Sequence, residues 1–85
     1  MFNMKVSFNN YYLGHKKPHI VLYRLACTYS RLKNSTNGFK YLKLAIKSGY
    51  KNFKHIKRDP DLAYLRKQKE WRKLILQIEI IMKRY

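Results

Sequence analysis

Acidic residues are nearly missing. Four Asp and Glu stand against 20 Lys and Arg in 85 residues, a formal net charge of +16, and no acid precedes Asp59. Such a chain repels itself, and a polyanion or an acidic partner is the simplest compensation. An excess of Lys, Asn, Ile, Tyr and Phe also fits a compositionally biased genome, which would raise the charge with no polyanion involved. Cysteine is as scarce. Cys27 stands alone, so no disulfide can close within the chain and a stapled secreted fold is excluded. A reducing compartment, cytoplasm or organelle matrix, is expected instead. No apolar run approaches the ~20 residues of a bilayer span. The most apolar stretch, Leu74 to Met82, contains Gln77 and Glu79. The opening MFNMKVSFNNYYLG lacks a continuous apolar segment ending in small residues, so no secretory leader is expected. An organellar targeting role is conceivable from its lack of acid, but it also lacks arginine and a clear cleavage site.

What is present is apolar content, 46% of the chain, enough for one small domain with a core. Residues 1–18 read as an irregular or partly helical arm, interrupted at Asn9-Asn10 and Gly14. Residues 19–85 read as helical. Leu22, Leu25, Ala26, Tyr29 and Leu32 recur at three- and four-residue steps, the spacing of a core-facing helical stripe. The polar run from Lys33 to Asn37 predicts a turn and cap. A second period follows through Gly38, Tyr41, Leu42, Ala45 and Ile46, and Gly49 stands where a helix closes through a left-handed residue. Two antiparallel helices are therefore expected. Tyr50, Phe53 and Ile56 are spaced to carry the chain across the open end of that hairpin. Asp59-Pro60-Asp61 predicts a helix start, with Asp59 as cap, Pro60 in the first turn and Asp61 at the positive end of the dipole. Leu62 and Leu65 face inward. A last helix from about Lys69 shows Trp71, Leu74, Ile75, Ile78, Ile81 and Met82 on one face, giving three main helices and one short one.

The hairpin resembles a tetratricopeptide (TPR) repeat, a helix–turn–helix in which small residues let the two helices close on one another. Leu22, Leu25, Ala26, Tyr29 and Leu32, then Gly38, Leu42 and Ala45, occupy the motif positions. The string AIKSGYKNFKHIKRDPDLAYLRKQKEWRKLI is similar to the end piece of many TPR arrays. Ala45, Gly49, Tyr50, Phe53, Ile56, Asp59, Pro60, Asp61, Leu62, Leu65, Trp71 and Leu74 carry that likeness, which spans roughly Ile20 to Ile75. Lys33 departs from the usual Gly of the turn, and Lys69 from a frequent Pro. The resemblance implies an all-α scaffold module with no catalytic residues. One repeat and an end piece form almost no groove, so a copy of itself, a larger TPR protein or a big assembly is expected to hold it.

Catalytic chemistry is thin. Cys27 sits at a packed position, and His15, His19 and His55 share no ligand spacing. No CxxC, HExxH or glycine-rich phosphate loop is present, and cap duties account for Asp59 and Asp61. No enzyme activity, metal, cofactor or small-molecule substrate is expected. Lys40, Lys43, Lys47, Lys51, Lys54, Lys57 and Arg58 form a run without acid that could follow a phosphate backbone, meet an acidic protein or simply be solvated. Arg66, Lys67, Lys69, Arg72 and Lys73 border the last helix. Tyr23 and Tyr41 are expected partly exposed. Phe2, Phe8, Tyr11 and Tyr12 are expected to cap the first helix pair or dock on a partner. Leu76, Ile80, Ile81 and Met82 are surplus apolar residues that a protein partner or self-association would bury. A small basic RNA-contacting subunit of a ribonucleoprotein, such as a ribosome, is the alternative reading.

Overall fold

The computed structural model describes residues 17–83. The expected arm lies almost wholly outside them, as do Phe2, Phe8, Tyr11 and Tyr12. All regular structure among the described residues is helical. Helix α1 spans Pro18–Arg31, α2 Ser35–Lys47, α3 Phe53–Arg58, a 3-10 turn Pro60–Leu62, α4 Ala63–Arg66 and α5 Glu70–Lys83. The long helices α1 and α2 form the antiparallel pair, and the 3-10 turn and α4 pack across it.

Local chemistry explains the joints. Pro18 opens α1, where its missing N–H is no loss. At the other end Lys33 takes φ 60°. The Lys33 N–H bonds the Ser30 carbonyl at 3.0 Å, and the Asn34 N–H bonds the Tyr29 carbonyl at 2.9 Å. This is a Schellman closure with a lysine in the left-handed position. The Asn34 side chain then accepts the Asn37 N–H at 3.1 Å and starts α2. The end of α2 repeats the device with Gly49 at φ 113°, the Gly49 and Tyr50 N–H groups closing on Ile46 and Ala45.

The two closures predict opposite mutational outcomes. A left-handed backbone costs a residue with a Cβ roughly 1–2 kcal/mol, of which glycine's greater unfolded-state freedom offsets about half. Lys33→Gly is expected to raise the melting temperature by ~4–8 °C, the shift that about 1 kcal/mol gives in a domain this small. Gly49→Ala is expected to lower it by a similar amount. A Cβ there meets nothing within 4 Å, so the loss would be backbone strain alone. Scanning calorimetry of both variants checks the pair.

The core takes Leu22, Tyr23, Ala26 and Cys27 from α1, then Phe39, Leu42 and Ala45 from α2. Tyr50, Ile56, Leu62 and Leu65 close its open end, and α5 adds Leu74 and Ile78. Leu25, Tyr29, Phe53 and Trp71 are half-buried. Gly38 makes room for a side chain of the end piece: a Cβ there would lie 2.9 Å from a Leu65 methyl.

Three sequence expectations change. Leu32 is not a packing residue; it is 68% exposed. The helix ends at Arg31, and Leu32 is its C-cap, where the closing turn begins, instead of continuing the stripe. The buried face of α2 includes Phe39, while Tyr41 and Ile46 are half-buried, and Tyr41 stacks on Tyr29 with ring centroids 5.5 Å apart. The short helix expected from Asp59 onward is a 3-10 turn followed by α4, and a further short helix, α3, precedes it. Asp59, forced out of the helical region by the following proline, has ψ 119° and separates α3 from the 3-10 turn. Helix α3 has no counterpart in the sequence pattern. Asn52, whose side chain accepts the His55 N–H at 3.2 Å, is its local signal.

Candidate functional site

Two places on the domain gather polar chemistry or unpartnered apolar surface. The first is Asp59. Its Oδ1 accepts the Asp61 N–H at 2.9 Å, which is the cap that local sequence suggests. Its Oδ2 does something local sequence does not suggest. It accepts the Tyr23 hydroxyl at 2.5 Å and the Cys27 thiol at 3.7 Å, both from α1, and lies 3.1 Å from the His55 Nε2. The Arg66 guanidinium donates to the Asp59 carbonyl at 2.6 Å. The Tyr23 ring, buried against expectation, stacks flat on Tyr50 with centroids 4.2 Å apart. Asp59 is 6% exposed, and both of its carboxylate oxygens accept hydrogen bonds.

The electrostatics follow from that arrangement. Burial alone would raise the Asp59 carboxyl, but the Tyr23 hydroxyl, the Asp61 amide, His55 and Cys27 outweigh it and hold the group below its ordinary value. Burial pushes the Cys27 thiol up to about 12, and the Asp59 charge adds to the push. Burial, then the bond to Asp59, raises the Tyr23 phenol, and burial raises Tyr50. Cys27 is thus held as a thiol, the opposite of an activated nucleophile. Cys27, Asp59 and Asp61 are the residues that could hold a metal, their ligand atoms lying within 4.8 Å of one another. A metal would have to displace the Tyr23 and His55 bonds and take the thiol proton. As it stands, the cluster fastens α1 to the joint between α3 and the 3-10 turn.

The second place is a groove between α2 and α5, with a volume of about 620 Å³. Leu44, Ile46, Leu74, Ile78, Ile80 and Ile81 supply its apolar surface, and Lys40, Lys43 and Lys47 stand along its α2 edge. An adjoining hollow of about 490 Å³ shares Ile46, Lys47 and Ile81 and runs on past Tyr50, Lys51 and Phe53 to Met82. Among the described residues no acid lines either. In sequence, the lysine run and the surplus apolar residues of the last helix read as separate features. The fold sets Lys40, Lys43 and Lys47 across one groove from Ile80 and Ile81. Leu76 is exposed but lies outside the groove, and Lys54, Lys57 and Arg58 are exposed on α3. Trp71 lines a separate shallow depression with Arg66, Lys67, Lys69 and Arg72. Among the described residues no helix is long and apolar enough to cross a membrane.

The chain is similar to a chloroplastic protein of Arabidopsis thaliana. The two are 43% identical over 60 residues, which is 71% of this chain and 18% of that protein. The match therefore spans under a fifth of the relative's length. No protein-family model matches the chain, and no solved structure matches it.

Proposed function

We propose that this domain is a non-enzymatic protein-interaction module of the TPR type, one repeat with its end piece, working within a larger assembly. The observation that carries the reading is the apolar groove between α2 and α5, which no described residue fills. Unburied Ile80 and Met82, 55% and 49% exposed, extend it. Open apolar surface of this kind marks association. Likeness to a short stretch of a longer protein suits a module that recurs inside larger chains. The chloroplastic designation of that relative favours an organelle matrix over the cytoplasm.

The depression around Trp71 supports a second reading, contact with RNA. An indole among four cationic side chains combines a stacking surface with phosphate contacts. One experiment separates the two: recovery of native complexes containing the chain from its own cells, at modest salt, with and without ribonuclease. The module reading expects protein partners to stay bound after nuclease treatment. Dispersal by nuclease of a large particle would instead establish the ribonucleoprotein reading.

A further inference from the structure

The groove is chemically one-sided. Its floor is aliphatic: Leu74 and Ile78 are sealed beneath, Leu44, Ile46 and Ile81 are half-buried along it, and Ile80 is exposed. One wall is cationic, because Lys40, Lys43 and Lys47 fall at three- and four-residue steps along a single edge of α2. The opposite wall, α5, contributes Gln77 as its polar group among the described residues. On α5 the groove is lined from Leu74 to Ile81, which is roughly 12 Å at 1.5 Å per residue. An occupant must present an apolar stripe and, along one side of it, negative charge.

The geometry points to an acidic amphipathic helix of a partner protein, lying along α2 and α5 with its apolar stripe on Leu44, Ile80 and Ile81 and its carboxylates on Lys40, Lys43 and Lys47. This rests on the interaction-module reading above and names the partner's chemistry. Charge complementarity selects this occupant over three others. A second copy of the chain brings +16 and only four acids, one of them the buried Asp59, so it would set cation against cation. Residues 1–16 carry Lys5 and Lys16 and no acid. RNA offers phosphate to the lysines but no apolar ridge for the floor. An amphipathic helix with glutamates flanking a leucine stripe satisfies both surfaces in a helix-in-groove mode.

The test titrates the full chain with a synthetic helical peptide bearing a leucine stripe flanked by glutamates, and with a twin in which lysines replace the glutamates. Binding is read by fluorescence anisotropy, with circular dichroism confirming that every variant is folded. The acidic peptide is expected to bind and the lysine twin not. Reversing all three charges (K40E, K43E and K47E together) should weaken the acidic peptide about a hundredfold, because three exposed attractions of ~0.5 kcal/mol each are lost and three repulsions of similar size replace them. The same reversal should let the lysine twin bind. Ile80→Asp should abolish binding, and Leu76→Asp, outside the groove, should leave it unchanged. Equal binding of both peptides, or binding indifferent to the lysine reversal, overturns the inference. So does a dimer in sedimentation that Ile80→Asp dissolves, which gives the groove to a second copy, or displacement of the peptide by single-stranded oligouridylate. The native-complex experiment repeated with the triple variant separates the two readings. Protein partners retained by both wild type and variant leave the module standing and remove the groove assignment. Partners retained by neither remove the module itself.

Discussion

Asp59→Ala is expected to leave the protein largely unfolded at 37 °C. The substitution strands the Tyr23 hydroxyl and the Cys27 thiol in the core, removes the contact with the His55 ring and takes the cap from the Asp61 amide. Breaking a buried, charged network by deleting one partner costs roughly 3–5 kcal/mol. Stabilities of native domains are about 5–15 kcal/mol, and so small a core belongs at the lower end. Tyr23→Phe is the graded companion. It deletes one hydrogen bond to a charged acceptor and keeps the stack on Tyr50, so a loss of about 1.5–3 kcal/mol is expected from urea unfolding. A Tyr23→Phe cost below a few tenths of a kcal/mol would show that the carboxylate is held by its other contacts.

The same cluster shapes the pH profile. The folded Asp59 carboxyl lies below its ordinary 3.8, so its stabilising effect is complete above that value and is lost as pH falls through the folded one. On the alkaline side the unfolded Cys27 thiol ionises near 9 while the folded one waits until about 12. Stability therefore falls as pH climbs through that interval, and the raised Tyr23 phenol acts in the same direction. Urea midpoints measured across the range should show a plateau between about pH 5 and 8 with a decline on each side. Cys27→Ala should shallow the alkaline decline, with a smaller effect on the acid side, where the thiol is the last of the groups that hold the Asp59 carboxyl down.

Leu65→Ala is the second large loss expected. Leu65 is fully buried and fills the space above Gly38, so truncation opens a cavity between α2 and α4 at a cost of ~2–5 kcal/mol. The close fit makes a sharper statement possible. With Leu65 in place, a Cβ at Gly38 lies 2.9 Å from one methyl and 3.2 Å from the other, so Gly38→Ala forces a shift. With Leu65 truncated, the same alanine has room and gains the roughly 0.5–1 kcal/mol by which alanine exceeds glycine inside a helix. The double variant should thus be more stable than Leu65→Ala alone, although Gly38→Ala in the wild type gives a smaller benefit or a loss. Additive effects across the cycle would mean that the two residues do not share the space.

The antiparallel pair is legible in the sequence because Leu22, Ala26, Leu42 and Ala45 repeat with the helical period and local caps mark both joints. Periodicity cannot say where α1 stops. Leu32 continues the stripe in sequence, but the helix has ended at Arg31 and Leu32 is its C-cap, one residue before the left-handed Lys33. Helix α3 escapes the pattern because six residues offer only Phe53 and Ile56, set among cations. Asp59 is readable as a cap, since that role depends on its immediate neighbours. Its bond to Tyr23, 36 residues away, depends on the packing of the end piece across the hairpin and leaves no trace in local spacing. The groove is of the same kind. Its lysines and isoleucines are ordinary on their own helices, and only the placement of α5 beside α2 makes them one surface.

Asn34 serves two helices at once: its amide completes the end of α1 and its side chain begins α2. No residue between the helices is left over to absorb a change in chain length. An extra residue inserted there would have to sacrifice either the closing or the starting bond, and with it the register in which α1 faces α2. Insertions are therefore expected to be better tolerated at the other joints, and the hairpin is the part of the molecule whose residue count the backbone itself keeps fixed.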